Sequence, residues 1–202
     1  MREEPARGLG REAASPARAI LVLSGVLLAV AAGIVAYSLT VPPRDAAVVA
    51  PAPGLAPAAR VAAPGVELPS LRGPERITLG QFRGQVVVLN FFASWCGPCA
   101  LEAADLERTW QEVRDRGAVF LGVAVQDTVP EARAFLATHR ITYPAAFDER
   151  GEVLARYRVT GIPTTVVIDP EGRVVARHAG IFVGDEGRAA LRALIETARR
   201  TR

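Results

Sequence analysis

The stretch from Val86 to Cys99, VVVLNFFASWCGPC, places the strongest constraint on the fold of this chain. Its first seven residues are apolar apart from Asn90, and such a run predicts a strand that is buried on both faces. The pattern changes to helix at the C-G-P-C motif of residues 96–99. Pro98 suits the first helical turn, because its missing N–H would have no partner there. The sequence therefore predicts a buried strand leading directly into a helix that begins with two cysteines.

The two cysteines of this motif are the only ones among the 202 residues. A cysteine at a helix N-terminus feels the positive end of the helix dipole, which favours the thiolate, and Cys99 lies one turn after Cys96. Zinc would need two more ligands, and only the distant His139 and His178 remain, which we expect to be surface or packing residues. A purely structural disulfide is disfavoured, because so short a loop removes little unfolded-state entropy. The pattern indicates a redox-active dithiol and no metal site.

The N-terminal part of the chain predicts a membrane anchor. Residues 1–18 are polar and carry four arginines, whereas residues 19–41 contain no charge. A helix of that length spans a hydrocarbon core of about 30 Å. The excess of arginine before the span predicts a cytoplasmic tail and an extracytoplasmic remainder. The alternative is a cleaved signal peptide, since Ala29-Val30-Ala31 resembles a cleavage site, but the apolar run continues well beyond it.

Residues 42–65 contain six prolines and many alanines, a composition typical of a semi-extended linker. Residues 66–202, the predicted globular domain, carry 18 arginines against 17 aspartates and glutamates, so the domain is close to neutral. It has no basic, aromatic-interleaved patch, which argues against nucleic-acid binding. All 24 basic residues are arginine, so a mechanism that needs a lysine amine is excluded.

Within the domain, the hydrophobic pattern predicts a β-α-β half followed by a β-β-α half on one sheet. Asp185 is a candidate cap for the last helix. The predicted strands are 66–71 and 76–79 (a hairpin around Gly73-Pro74), 86–92, 118–126, 164–168 and 173–179; the predicted helices are 97 to just before Gly117, 129–139, a turn or two within 149–157, and 188–199; residues 141–148 are a predicted extended link.

The motif WCGPC, the sequence Gly-Ile-Pro-Thr at 161–164 and the terminal ββα unit resemble a thioredoxin-like fold. That α/β fold has a central mixed sheet flanked by helices, here with an N-terminal β-hairpin and a helix–strand insertion at about 127–147. The insertion, Asn90 in place of the buried aspartate of thioredoxins, and Glu102 three residues after Cys99 resemble the TlpA/ResA-like (DsbE-type) thiol–disulfide oxidoreductases. The resemblance covers about residues 66–182. Ala104 departs from it, because the family often has a helix-bending proline there.

The resemblance and the chemistry of the motif assign roles to three residues. Cys96, at the helix start, is expected to attack a substrate disulfide as a thiolate, and Cys99 to resolve the mixed disulfide. Glu102 is an i,i+3 neighbour of Cys99, and burial would raise its pKa towards the value that a base for Cys99 needs. The alternative for Glu102 is a solvated helix glutamate.

The resemblance also implies a substrate-binding wall. The Ile162–Pro163 peptide bond is expected to be cis, which would turn the loop towards the cysteines and offer the Ile162 backbone to an extended substrate. The alternative is an ordinary trans proline at the start of a strand. Trp95 is expected to flank the sulfur atoms and contact substrate, or else to be part of the core.

The function predicted from these features is a protein-disulfide reductase on the periplasmic side of the bacterial cytoplasmic membrane, held by a single span, with no cofactor beyond its cysteines. By resemblance, a DsbD- or CcdA-type membrane thiol reductase would supply electrons, and apocytochrome c would be the substrate. A general reductase or an oxidase of exported proteins is the alternative enzyme. A peroxiredoxin is disfavoured, because Trp95 precedes the cysteine. The non-enzymatic alternative is a thioredoxin-like peptide-binding adaptor or chaperone.

Overall fold

The structure, a computed structural model, describes residues 61–200. The predicted tail at 1–18, the predicted span at 19–41 and the linker up to residue 60 lie outside the described residues. Within the described range, no helix has the length and apolar character needed to cross a bilayer.

The described residues form a thioredoxin-like α/β fold around a mixed five-stranded sheet with the order β5-β4-β3-β6-β7. Strands β3, β4 and β5 are parallel, and β6 and β7 are antiparallel to their neighbours. A separate hairpin, β1-β2, precedes the sheet. The strands are β1 Glu67–Pro69, β2 Arg76–Thr78, β3 Val86–Phe92, β4 Ala118–Val125, β5 Ala145–Asp148, β6 Thr164–Ile168 and β7 Val174–Ala179; the helices are α1 Gly97–Val113, α2 Val129–Thr138, α3 Glu152–Arg156 and α4 Gly184–Arg199.

Strand β3 lies at the centre of the sheet, and all seven of its residues are buried. Because side chains alternate along a strand, one set packs with α1 and α4 on one face. The other set packs with the hairpin and Tyr157 on the opposite face. The prediction of a strand buried on both faces is confirmed.

The insertion adds helix α2 and edge strand β5 beside β4. Thr128 caps α2, since its side chain accepts a hydrogen bond from the N–H of Glu131 as the capping pattern predicted. The second half of the predicted link becomes β5, which pairs with β4 in parallel. Ser70 and Leu71 cover the outer edge of β5, with the Leu71 N–H donating to the Ala145 carbonyl at 2.8 Å. A covered edge cannot pair with another chain.

The start of α4 corrects the sequence prediction. The helix begins at Gly184, before the predicted cap, so Asp185 lies in its first turn and does not act as the cap. Asp105 of α1 takes that role instead, because its Oδ2 accepts the Gly184 N–H at 2.8 Å. Its Oδ1 accepts a hydrogen bond from Arg188 at 2.6 Å. A carboxylate from another helix therefore satisfies the first free N–H of α4.

The pKa of Asp105 lies below its ordinary value. Burial raises it, but the hydrogen bonds from Gly184 and Arg188 and the arginine charges outweigh burial. The ionised form is therefore the one that holds α1 and α4 together.

Replacing Asp105 by alanine is expected to lower the free energy of unfolding by about 2–3 kcal/mol, because it leaves the Gly184 N–H without a partner and removes one of the two carboxylates that pair with the largely buried Arg188 guanidinium. The matched control is Glu112→Ala. Glu112 also joins α1 to α4, through Arg192 at 2.9 Å, but both side chains are more than one-third exposed. We expect Glu112→Ala to cost less than about 1 kcal/mol. Chemical denaturation of both variants measures the difference, and equal losses would contradict the account.

Candidate active site

The loop that carries the cysteines is fixed by the connection between β4 and α2. Asp127 accepts hydrogen bonds from the Ser94 N–H at 2.6 Å and the Ser94 hydroxyl at 2.8 Å. The Trp95 indole N–H donates to the Gln126 carbonyl at 2.8 Å. Because β3 and β4 are parallel neighbours, both loops leave the same end of the sheet. Sequence reasoning missed Asp127, although a polar residue directly after a parallel strand is a recognisable sign of such a position.

Cys96 and Cys99 are joined by a disulfide at this end of the sheet. Cys96 is the N-cap residue of α1, and its sulfur accepts the Cys99 N–H at 3.2 Å. Its exposed fraction is 5%, against 2% for Cys99. The bond therefore lies just under the surface, with Cys96 on the outer side as the sequence predicted.

Glu102 is buried beneath the dithiol, with 1% of its surface exposed. Its Oε1 accepts a hydrogen bond from the Asn90 side-chain amide at 2.9 Å, and its Oε2 accepts the Phe182 N–H at 3.0 Å. Cys99 and Glu102 are both on the buried side of α1, one turn apart. The structure thus places Glu102 inside the domain, not on the solvated face of the helix.

Burial raises the pKa of Glu102 from 4.5 to about 7, although the hydrogen bonds from Phe182 and Asn90 act in the opposite direction. Desolvation disfavours a buried carboxylate more than two neutral donors stabilise it. The side chain is consequently poised to gain or lose a proton near neutral pH.

Asn90 connects the glutamate to the other half of the sheet. The same amide that donates to Glu102 also donates to the Thr165 hydroxyl at 3.1 Å. Asn90 and Thr165 lie directly opposite each other in the β3-β6 pairing. Sequence reasoning missed both Thr165 and the Phe182 N–H, because neither the strand register nor the path of the 180–183 loop is encoded in a local pattern.

The Ile162–Pro163 peptide bond is cis. The Pro163 carbonyl accepts the Gly180 N–H at 3.0 Å, which holds the loop against the end of β7. Ile162 is partly buried and packs on the apolar cluster that contains both cysteines. Among residues 61–200, no hydrogen bond engages the backbone N–H or carbonyl of Ile162. Because Thr164 pairs with Phe91 at the end of β3, the loop lies at the same end of the sheet as the dithiol, and it has backbone groups free for an extended ligand.

Trp95 is 61% exposed beside Cys96, so it is a surface residue here and not part of the core. The two histidines pack against aromatic rings in a tilted arrangement: His139 against Phe135 and His178 against Phe182, each with 4.3 Å between ring centroids. No group of three or more His, Cys, Asp or Glu side chains between residues 61 and 200 is arranged to bind a metal ion.

Comparison with known proteins gives consistent results. A family model described as the AhpC/TSA family matches residues 59–177. The thioredoxin-like protein YneN of Bacillus subtilis is 36% identical over 129 residues, which cover 61% of this chain and 73% of that protein. The thiol-disulfide oxidoreductase ResA of Bacillus subtilis is 32% identical over 113 residues, which cover 56% of this chain and 63% of that protein.

Solved structures agree. A Chlorobium tepidum protein assigned as the thiol:disulfide interchange protein DsbE matches with a TM-score of 0.63 and 31% identity, covering 69% of this chain and 96% of that one. A secreted thiol-disulfide isomerase from Corynebacterium glutamicum matches with a TM-score of 0.64 and 26% identity, covering 72% of this chain and 90% of that one. The chain therefore belongs to the AhpC/TSA family and is a thiol–disulfide oxidoreductase of the ResA/DsbE type.

Proposed function

We propose that this protein is an extracytoplasmic protein-disulfide reductase, tethered to the bacterial cytoplasmic membrane, that reduces disulfides of exported proteins such as apocytochrome c. The observation that carries the proposal is the buried Glu102 carboxyl one turn after Cys99, with its pKa raised by burial to about 7. A group with that pKa is half ionised at neutral pH, so it both accepts and returns a proton readily.

The first chemical step belongs to Cys96. In the reduced protein its thiolate, at the N-terminus of α1, attacks one sulfur of the substrate disulfide. A bond forms between Cys96 and that sulfur, and the substrate S–S bond breaks. The other substrate sulfur leaves as a thiolate and takes a proton from solvent.

The second step needs a base, because Cys99 is 2% exposed and cannot give its proton directly to water. Glu102 takes the proton from the Cys99 thiol, and the Cys99 thiolate attacks the Cys96 sulfur. The mixed disulfide breaks, the second substrate thiolate leaves, and the Cys96–Cys99 disulfide forms. Two electrons have then passed from the dithiol to the substrate, and Glu102 releases its proton to the departing thiolate.

The substrate is held as an extended strand. The backbone groups of Ile162 are free of hydrogen bonds within the described residues, and the pairing of Thr164 with Phe91 places this loop at the end of the sheet that carries the cysteines. Strand addition there would satisfy those groups and place a substrate disulfide over Cys96. The exposed Trp95 ring supplies an apolar contact on the other side.

The direction of electron flow follows from the dipeptide between the cysteines and from the compartment. Gly97-Pro98 is the dipeptide of reducing thioredoxins, which favours a reductase. Each turnover leaves the Cys96–Cys99 disulfide, and an oxidising compartment has no reducing thiol pool to restore the dithiol. A membrane thiol reductase of the DsbD or CcdA type is therefore the proposed electron donor, and the uncharged residues 19–41 are the proposed anchor.

The reduction potential and disulfide-reducing activity of the full chain test this function. In detergent, equilibrated with dithiothreitol or glutathione buffers, we expect a potential closer to the thioredoxin value of about −270 mV than to the value of about −120 mV typical of a strong oxidant. Insulin reduction should fall to the uncatalysed background in Cys96→Ser. Cys99→Ala, which cannot resolve the mixed disulfide, should trap apocytochrome c covalently. A potential near −120 mV would instead support the oxidase, and activity that survives Cys96→Ser would refute the mechanism.

The rate at which Cys99 resolves the mixed disulfide is expected to depend on the protonation of Glu102. The carboxylate is the active base and is populated above the pKa of about 7, so the rate should rise through neutral pH and level off above it. Glu102→Gln should slow this step by about 10²-fold at neutral pH and remove the inflection. Rapid-quench measurement across pH 5–9 provides the profile.

The matched control for this prediction is Glu112→Gln, an exposed glutamate on the same helix, which should keep the wild-type profile. An inflection near pH 7 that persists in Glu102→Gln would show that another group supplies the base. Melting temperatures of both variants separate a loss of proton transfer from a loss of folding.

A further inference from the structure

Different segments of the chain lie at the two ends of the sheet. The carboxyl end of β3 leads to the cysteines, and the carboxyl end of its parallel neighbour β4 leads to α2. We name this end of the sheet the cysteine end. The opposite end holds the starts of β3, β4 and β5 and the turn between β6 and β7. The described chain also begins there, because the Val61 carbonyl accepts the Val174 N–H and Ala63 donates to Gly172. Val61, where the described chain begins, therefore lies at the end of the sheet opposite the cysteines.

Five exposed arginines lie at this opposite end, which we name the basic end. Their positions follow from the topology: one each in the loop after β1, the loop before β3, the turn before β4, the loop after α2, and the residue after α4. They are Arg72, Arg83, Arg116, Arg140 and Arg200. None of the five forms an ion pair with a carboxylate of the described residues.

Three carboxylates near the basic end pair with other arginines. Asp115 pairs with Arg114, Glu171 pairs with Arg173, and Glu196 pairs with Arg199. Glu75, in the same loop as Arg72, and Glu107, bonded to Thr142, also lie near this end without an ion pair among the described residues. Five arginines against these two carboxylates leave the basic end with a net positive charge, although the domain as a whole is close to neutral. Asp127, Glu149 and Glu186 lie towards the cysteine end and form no ion pair within residues 61–200.

Part of the basic end is a groove of about 360 Å³, whose floor is apolar and includes Leu136 and Ile141. Arg72, Arg133 and Arg140 line it. The Arg72 guanidinium donates to the Tyr143 and Ile141 carbonyls, and the Arg133 Nε donates to the Leu71 carbonyl at 2.8 Å. These bonds fix the direction of two guanidinium groups and leave their other N–H groups available. Fixed guanidinium groups suit a phosphate, which accepts paired N–H donors.

We propose that the basic end docks on an anionic phospholipid surface, with the arginine-lined groove receiving a headgroup phosphate, so that the cysteine end faces away from the bilayer. Attraction between the arginines and anionic headgroups favours this orientation. The chain enters the domain at the same end, so a bilayer that holds residues 19–41 lies within reach of it. The docking proposal depends on the proposed anchor only because the anchor would keep the domain close to the bilayer.

The test uses arginine-specific labelling of the full chain with phenylglyoxal, read residue by residue by mass spectrometry. The chain contains no lysine, so arginine is the main target. The protein is incorporated into bilayer discs of phosphatidylcholine alone or with about one-third phosphatidylglycerol. In the anionic discs, labelling of Arg116 and Arg140 should slow about fivefold or more and recover in about 0.5 M NaCl, whereas Arg150, which is 81% exposed at the cysteine end, should label equally in both.

Paired variants test the contribution of charge. The double variant Arg116→Gln/Arg140→Gln should remove most of the protection of Arg83 from labelling in anionic discs. Each lost arginine should weaken the attraction to the anionic surface about fivefold. Arg108→Gln with Arg150→Gln removes two exposed arginines elsewhere and should leave that protection unchanged. Melting temperatures check that both variants fold.

Three results would overturn the docking. Equal labelling in the two kinds of disc means that the basic end does not contact lipid. Protection in both kinds of disc that grows with the number of chains per disc means that a second copy of the chain covers the arginines instead. A chain that enters neither kind of disc refutes the proposed anchor and the docking with it, whereas a chain that enters both without lipid-dependent protection refutes the docking alone.

Discussion

The hydrogen bond from Asn90 to Glu102 joins the parts of the molecule that the chemistry requires. Asn90 comes from the central strand, Glu102 from the helix that begins with the cysteines, and the second donor, the Phe182 N–H, from the loop before α4. The site forms only when the sheet and both helices are packed. Because all of these groups are buried, the carboxyl is removed from water and its pKa rises. The core that stabilises the domain is therefore also the environment that tunes the base.

Features that depend on neighbours in sequence could be predicted. The β3 strand, the dithiol at a helix start and the Thr128 cap each lie within a few residues of what determines them. Features that depend on distant partners could not. Asp105 replaces the predicted Asp185 as the cap of α4 across 79 residues, and Asn90 meets Thr165 across 75. Such contacts are fixed by strand register and helix packing, which no local pattern encodes.

The cis bond before Pro163 and the placement of Glu102 were expected only because the motifs resemble a known family. Composition and periodicity allow a trans proline and a solvated glutamate equally well. The structure adds Asp127, whose carboxylate accepts hydrogen bonds from Ser94 at 2.6 and 2.8 Å. These bonds fix the turn that connects β3 to Cys96. The nucleophile is thus supported by the neighbouring loop, and the proposed base by the core beneath it. These separate supports allow the two groups to be altered independently.

The central claim is that Glu102 holds a proton near neutral pH beside the dithiol. The most direct measurement is a carbon-13 NMR titration of the side-chain carboxyl of Glu102 in the oxidised full chain, assigned with the Glu102→Gln variant. The account predicts a midpoint near pH 7, well above the ordinary value of 4.5, because the carboxyl is buried beneath the Cys96–Cys99 disulfide. A midpoint near 4.5 would mean that the carboxyl is effectively solvated, and it would contradict the assignment of Glu102 as the base for Cys99.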